Sequence, residues 1–330
     1  MVKYFLTDKN ATQLRLSEEF QPGCWVEMVS PPDGEVERVC AETGVPEDMT
    51  KAALDEEEMA RTENDEGCSM YVVDCPVIEE SEAGDSYSTL PLAIIYNSKC
   101  IMTVSLKGNP VLKDFITGRT KIDCGNPVQF ILSFMFGNAK RFLYCLKQID
   151  RRSQRVQAEL GNNLKNEDIL QLLELENSLV YLSTSLNSNA NVHEKLNKAE
   201  AVSTNESYQD LYDDLIIECN QAIEMCKIYK DTLSVSMDAY GSVISNNAND
   251  SMQKLTIITI LLAIPTMIAG FWGMNMPVPF QAFKGETSTV WFWVVISCAL
   301  TFTAAIAVIM LRASSKTAKH KRQRKNRKKK

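Results

Sequence analysis

The sequence contains few of the residues on which metal centres and enzyme active sites usually depend. Its 330 residues include only two histidines, His193 and His320, and none of its ten cysteines forms a C-x-x-C pair. These facts argue against a zinc ligand set, a thioredoxin-like centre and a Cys/His catalytic pair. The chain also has no G-x-x-x-x-G-K-S/T phosphate loop and no nucleophile–base constellation. We therefore expect that it is not an enzyme.

Residues 312–330 contain no acidic residue and are strongly basic. Their positive charge offsets much of the negative charge of residues 1–311, so the overall net charge of −7 understates how acidic the rest of the chain is. The segment holds eleven Lys and Arg; subtracting them from 35 leaves 24 basic against 42 acidic residues in 1–311, a net charge of −18. A nucleic-acid-binding protein is usually basic over its folded part, so no nucleic-acid partner is expected. The acidic body either suits divalent cations or is simply a solvated surface. The basic tail is expected to bind anionic lipid.

The first ten residues, MVKYFLTDKN, lack the basic and apolar regions of a signal peptide. We therefore expect the bulk of the chain to be cytosolic, with its thiols reduced.

Residues 1–135 are predicted to form a mixed α/β cytoplasmic domain. Short β-rich runs predict strands at 70–75, 92–96 and 101–106, and the last two should form a hairpin across the turn between them. A helix is predicted ahead of these strands at 46–60, with Pro46 in its first turn.

Residues 136–205 are predicted to form the helical part of the same cytoplasmic body. Apolar residues recur at spacings of three and four in 129–159 and 166–185, which indicates two helices. The polar stretch 187–204 is predicted to be a connection. A third helix is predicted to begin near Glu206 and to continue as a stalk, 206–254, into a membrane span. Its total of about 65 residues would extend roughly 100 Å, too long for a helix inside a small domain.

Two segments lack charged residues over the length that a membrane requires. Residues 255–272 and 290–311 contain none, and about 20 apolar residues cross the hydrocarbon core. The basic tail after the second segment predicts that both termini are cytoplasmic and that only the loop 273–289 lies outside.

The predicted fold class is an α+β membrane protein: an N-terminal α/β cytoplasmic domain, a long stalk helix continuous with the first transmembrane helix, a second transmembrane helix and a basic C-terminal tail. It should be a multi-pass protein of the plasma (inner) membrane, surrounded by lipid bilayer.

A stripe of small and polar residues follows one side of the stalk and the first span. A helix that faced lipid all round would not align its hydroxyls and glycines. Close packing against another helix explains part of the stripe, whereas a helix that lines a water-filled pore also explains its continuation into the stalk. At alternating steps of three and four, the stripe comprises Ser242, Ser245, Asn249, Met252, Leu255 or Thr256, Thr259, Ala263, Thr266, Gly270 and Gly273, with Asp238 one heptad before Ser245.

Three motifs carry a resemblance to a known family. The tripeptide Gly273-Met274-Asn275 follows the first span, and residues 240–254 match the pattern Y-x-S-x-x-S-N-x-x-N-x-x-M-x-K. The segment LDEEEMARTEND at 54–65 is also similar to a family motif. With the two C-terminal spans and the basic tail, the sequence resembles the CorA family of magnesium channels.

The resemblance implies a homopentamer with a cytoplasmic funnel and a pore lined by the first span. Gly273, Met274 and Asn275 would form the selectivity filter at the outer mouth, and Met252 and Leu255 resemble the gate positions of the family. The implied activity is electrophoretic uptake of hydrated Mg²⁺, with Co²⁺ and Ni²⁺ as further expected cargoes, gated by cytosolic Mg²⁺.

The resemblance also implies that Mg²⁺ binds between neighbouring soluble domains and holds the pore shut. The physical candidates for its ligands are the acidic run Asp55, Glu56, Glu57 and Glu58 and the pair Asp213 and Asp214 near the start of the stalk. Crowded carboxylates repel each other, and a divalent cation between them would relieve that repulsion. The alternative is a solvated acidic face.

Two other functions stay open. One is a proton-coupled Zn²⁺ transporter of the ZntB type, against which the intact Gly273–Asn275 motif with its central methionine argues. The other is a membrane-anchored sensor or scaffold, which would not require the stripe of small and polar residues.

Overall fold

The structure is a computed structural model that describes residues 1–7, 14–79, 85–160, 166–198, 202, 204–273, 293–294 and 296–308. The chain divides into two compact units, Met1–Ala239 and Tyr240–Lys330.

A seven-stranded mixed sheet forms the centre of the first unit. Its strand order is β2-β1-β3-β7-β6-β5-β4, and all neighbours are antiparallel except β3 and β7, which are parallel. The strands are β1 Val2–Thr7, β2 Leu14–Ser17, β3 Cys24–Val29, β4 Arg61–Asp65, β5 Cys68–Glu79, β6 Ser86–Tyr96 and β7 Cys100–Ser105.

Among the described residues, two helices lie in sequence between β3 and β4, and four more lie between β7 and a short apolar helix, Ile296–Val308. They are α1 Asp33–Thr43, α2 Glu47–Ala52, α3 Pro110–Ile116, α4 Pro127–Leu160, α5 Asn166–Asn197 and α6 Glu206–Trp272.

The predicted hairpin is confirmed by the antiparallel pairing of β6 with β7. Asn97 closes the turn between them, since its Oδ1 accepts hydrogen bonds from the backbone N–H groups of Lys99 at 2.8 Å and Cys100 at 3.0 Å. A short amide side chain that bonds to the backbone two residues onward is a common way to stabilise a turn.

The helix predicted over 46–60 is wrong in its length. The structure ends α2 at Ala52 and places the acidic run in a turn before β4. Asp55 stabilises that turn, because its Oδ1 accepts the backbone N–H of Glu57 at 3.0 Å. Pro46 is the N-cap residue of α2 and not a residue of its first turn.

The sheet is covered on both faces, which explains why its central strands are apolar almost throughout. Trp25 of β3 faces one side, where it stacks on Phe5 at 4.9 Å between ring centroids and meets the Phe130 ring edge-on at 5.3 Å. This cluster includes residues of α3, α4, α5 and the start of α6. The neighbouring Val26 and Met28 belong to a second cluster that includes residues of α1 and α2.

The polar stretch 187–204, predicted to be a connection, is mostly helical, because α5 continues to Asn197. Its polar residues are partners of the sheet. Asn189 is 2% exposed, its Oδ1 accepts the backbone N–H of Asp74 at 2.8 Å, and its Nδ2 donates to the Asp74 carbonyl at 2.9 Å. Asn138 of α4 donates to the same carbonyl at 2.8 Å. β4 pairs with β5 only as far as Val72, so it does not reach Asp74. The two asparagine side chains therefore bond to backbone groups of Asp74 that a neighbouring strand would otherwise satisfy.

His193 of α5 is also buried, at 3% exposure, and its Nδ1 lies 3.4 Å from the Sγ of Cys219 on α6. Burial lowers the pKa of His193 to about 4 and, together with the nearby Glu218 carboxylate, raises the pKa of Cys219 to about 12. The two side chains are therefore a neutral pair at pH 7, which suits a packing role and not a nucleophilic one.

We expect the folded protein to lose stability through His193 as the pH falls from about 6.5 to about 4. Its pKa is lower in the folded state, so the unfolded chain takes up the proton first. At pH 4.5 the loss should be roughly 2 to 3 kcal/mol relative to pH 7.5. Thermal unfolding of the purified protein, followed by circular dichroism, should show a smaller acid shift in His193→Leu than in wild type. Equal acid shifts in both proteins would contradict this account, and above pH 7 neither should respond to this group.

Candidate functional site

The apolar end of α6 is the part of the structure suited to a membrane. Among the described residues, Glu206–Phe271 is the one helix long and apolar enough to cross a bilayer, and none of its most apolar 18-residue window is buried. A shorter apolar helix, Ile296–Val308, lies within the second predicted span. A large uncovered apolar surface marks contact with lipid or with other protein.

Burial divides this part of α6 into two faces. The half-buried residues form one stripe, Ile257, Ile260, Leu261, Ile264, Pro265 and Ile268. The helix Ile296–Val308 carries a matching half-buried stripe at spacings of three and four: Ile296, Ala299, Thr303 and Ile306. Two complementary stripes in one unit are the pattern expected of helices that pack against each other.

The small and polar stripe predicted from the sequence lies on another side of α6 and is uncovered. Thr256, Thr259, Ala263, Thr266 and Gly270 are all exposed in the single chain. The stripe is therefore not explained by packing of α6 within its own chain, among the residues that the structure describes.

The threonine hydroxyls on this stripe are oriented alike. The Oγ1 atoms of Thr256, Thr259 and Thr266 each donate to the backbone carbonyl four residues earlier, at 2.9, 2.9 and 2.8 Å. A hydroxyl has one hydrogen and two acceptor lone pairs. Because that hydrogen is used by the helix, each hydroxyl can only accept hydrogen bonds from its surroundings, which suits the water hydrogens of a hydrated cation.

Towards the stalk, the stripe continues through exposed residues. Met252 and Leu255 are 63% and 65% exposed, and Asn249 and Asp238 are also exposed. Met252 and Leu255 are therefore large apolar side chains exposed on this helix, with the polar residue Asn249 before them and the threonines of the stripe after them.

Pro265 is a feature of α6 that the sequence reasoning missed. It lies inside the helix and cannot donate to the carbonyl of Leu261. The proline in the middle of an apolar run was the available signal. Such residues occur in transmembrane helices where neighbouring groups satisfy the freed carbonyl.

At the other end of the stripe, the backbone N–H of Gly273 donates to the Ala269 carbonyl at 2.9 Å, so the helical bonding extends to the first residue of the tripeptide. Met274 and Asn275 lie outside the described residues, as do most of the loop 273–289 and all of the tail 312–330.

The acidic run after α2 is less crowded in charge than its sequence indicates. Glu58 is half-buried and its Oε1 forms an ion pair with Nε of Arg61 at 2.7 Å. Asp55 is exposed and stabilises the turn, while Glu56 and Glu57 are exposed. The charge of Glu58 is therefore balanced by Arg61, and the other three carboxylates of the run lie on the surface.

The second candidate pair, Asp213 and Asp214, is exposed near the start of α6. Within the described residues, no group of three or more His, Cys, Asp or Glu side chains is arranged to hold a metal ion.

Comparison with known proteins decides the family. A profile of the family described as CorA-like Mg²⁺ transporter protein matches residues 21–319. This chain belongs to that family. The family predicted from the motifs is therefore confirmed.

Two CorA proteins show how far the likeness extends. The cobalt/magnesium transport protein CorA of Methanocaldococcus jannaschii is 24% identical over 294 residues, which are 88% of this chain and 90% of that protein. Its solved structure has a TM-score of 0.75 and covers 95% of this chain and 96% of its own, at 20% identity. The CorA of Thermotoga maritima is 33% identical over 104 residues, 32% of this chain and 26% of that protein.

The zinc-type alternative has a weaker likeness. The cytoplasmic domain of ZntB from Vibrio parahaemolyticus covers 75% of this chain and 98% of its own, with a TM-score of 0.56 and 11% identity. At that identity the likeness shows a shared fold alone. CorA-like proteins are membrane-embedded transporters and not enzymes, so this chain is one of a family of cation transporters.

Proposed function

We propose that this CorA-family chain forms a channel for hydrated Mg²⁺, which also admits Co²⁺ and Ni²⁺. The observation that carries the proposal is the uncovered stripe on α6, where Thr256, Thr259 and Thr266 present acceptor oxygens. The M. jannaschii relative bears the name cobalt/magnesium transport protein, which agrees with Mg²⁺ and Co²⁺ as cargoes.

The ion would pass with its water shell in place. Mg²⁺ loses water reluctantly and prefers oxygen ligands, often through retained water. Amide oxygens of Asn275 and backbone carbonyls of Gly273, repeated around an outer mouth, would accept hydrogen bonds from that shell. Residues 255–272 contain no carboxylate, which favours release, because conduction requires that each site binds weakly enough to let the ion leave.

Transport would be driven by the membrane potential. A divalent ion that enters a negative interior gains about 2 × 2.3 kcal/mol per 100 mV. The proposed arrangement is a homopentamer in the plasma membrane with both termini cytoplasmic and two spans in each subunit. Five copies of the α6 stripe would then surround one pore.

Asn275→Ala should abolish Mg²⁺ uptake and leave the oligomer intact. The change removes the amide oxygens that would hold the hydrated ion at the mouth. Uptake into liposomes by the purified protein should be measured for Mg²⁺, Co²⁺ and Zn²⁺, with and without a proton gradient. Asn191→Ala, at an exposed asparagine of α5, is the matched control and should transport like wild type. Undiminished uptake by Asn275→Ala would remove the filter assignment, and Zn²⁺ uptake that needs the proton gradient would favour the ZntB-type function.

Met252 and Leu255 are proposed to form a hydrophobic constriction, since rings of apolar side chains close a pore by excluding water. Met252→Asn or Leu255→Asn should therefore increase ion leak several-fold in planar-bilayer recordings. Val243→Asn, at an exposed apolar position on another side of α6, is the control and should not. Conductance that is unchanged or lower in both stripe variants would count against the gate.

Mg²⁺ is also proposed to regulate the channel through Asp55, Glu56 and Glu57 and through Asp213 and Asp214, acting between subunits. Millimolar Mg²⁺ should then protect the soluble part of the protein from protease. The double variant Asp55→Asn/Asp214→Asn should lose much of that protection and stay open at high cytosolic Mg²⁺. A double variant of other exposed acids, Glu37→Gln/Asp231→Asn, removes the same charge and should respond like wild type. If both double variants close and resist protease equally, the regulatory ligands lie elsewhere.

A further inference from the structure

A cavity of about 570 Å³ lies against α3, the loop after it, one side of α4 and the start of α6. Its volume falls within the range of small-molecule sites in proteins, about 300 to 1,000 Å³. Both apolar and polar side chains line it. The polar ones are Asp114, Lys121, Gln129, Ser133, Lys140 and Arg141.

The charge at this cavity is opposite to that of the chain as a whole. Lys121, Lys140 and Arg141 line it, and none of the three forms an ion pair with any residue that the structure describes. The one acid in the lining, Asp114, is already paired, because its Oδ1 lies 3.1 Å from Nη1 of Arg119. The cavity is therefore a local concentration of positive charge in a protein whose net charge is −7.

Arg141 is held in place but has an unused donor. Its guanidinium lies 4.7 Å from the centroid of the Tyr144 ring, and its Nε is buried without a hydrogen-bond acceptor among the described residues. Lys140 is placed in a similar way, with Nζ 4.0 Å from the centroid of the Phe136 ring. A buried donor without a hydrogen-bond partner is destabilising. A small movement of the side chain would bring this donor to an anionic oxygen in the cavity.

The walls of the cavity are fixed by close helix packing. Gln129, Ser133, Gly137, Lys140 and Tyr144 recur at spacings of three and four and so share one side of α4. A Cβ atom at Gly137 would lie 2.5 Å from a methyl carbon of Val111 on α3. Only glycine therefore permits the approach of α3 to α4 that shapes the cavity.

We propose that this cavity binds a phosphate-bearing ligand, whose phosphate oxygens contact Arg141, Lys140 and Lys121. A guanidinium matches two phosphate oxygens at once, and two ammonium groups balance the remaining charge. Gln129 and Ser133 supply neutral hydrogen-bond donors beside them. A single carboxylate would leave most of this positive charge unbalanced, which favours a phosphate group. The assignment does not depend on the transport activity.

The test uses the full-length protein in detergent at physiological salt, with EDTA present so that Mg²⁺ does not compete for the probe. Binding of three probes is measured by calorimetry: inorganic phosphate, ATP, and phosphatidic acid in the detergent micelles. Lys140→Gln/Arg141→Gln should weaken binding at least tenfold, and Lys121→Gln, in a loop where folding is not at risk, should weaken it several-fold. Lys113→Gln/Lys147→Gln removes two exposed charges from α3 and α4 outside the cavity and should stay within twofold of wild type.

Loss of binding in the cavity variants alone supports the proposal, and the probe that binds identifies the source of the phosphate: a free anion, a nucleotide or a lipid. Binding that is equal in the cavity variants and wild type overturns it, as does the failure of all three probes to bind wild type. If no probe binds and the cavity variants dissociate the oligomer in gel filtration, the cavity is instead a contact with a second copy of the chain.

Discussion

The need to satisfy every backbone hydrogen-bonding group underlies both units of this protein. In hydrocarbon no water is available for that purpose, so a helix, which bonds its own backbone, is one of two structures that can span a membrane. The 67-residue helix α6 meets this requirement, with Pro265 as its exception. In the first unit, the same requirement places Asn138 and Asn189 at the unpaired backbone of Asp74.

Polar side chains consequently have opposite uses in the two units. In the first unit Asn189 and His193 are buried, and they stabilise packing between the sheet, α5 and α6. On the apolar part of α6, the polar residues face outward, and their hydrogens are already used by the helix. Uncovered acceptor oxygens are better solvated by water than by lipid, which supports the proposal that this stripe lines a pore.

Negative and positive charges are also concentrated in different parts of the protein. The chain is acidic apart from its tail, yet the cavity beside α3 and α4 gathers cations that have no anionic partner among the described residues. Acidic surfaces attract divalent cations, whereas the basic lining of this cavity favours the anionic ligand that we propose.

The sequence by itself determined the family, the β6–β7 hairpin and the stripe on α6, because each depends on residues near one another in the chain. Hydropathy, turn chemistry and helical spacing are local properties. Tertiary structure alone decided that α5 continues through its polar stretch, since Asn189 finds its partner 115 positions away at Asp74. It also decided that Lys121 and Arg141 line one cavity. Burial and contacts of this kind depend on which distant segments pack together, and the local sequence pattern does not predict that packing.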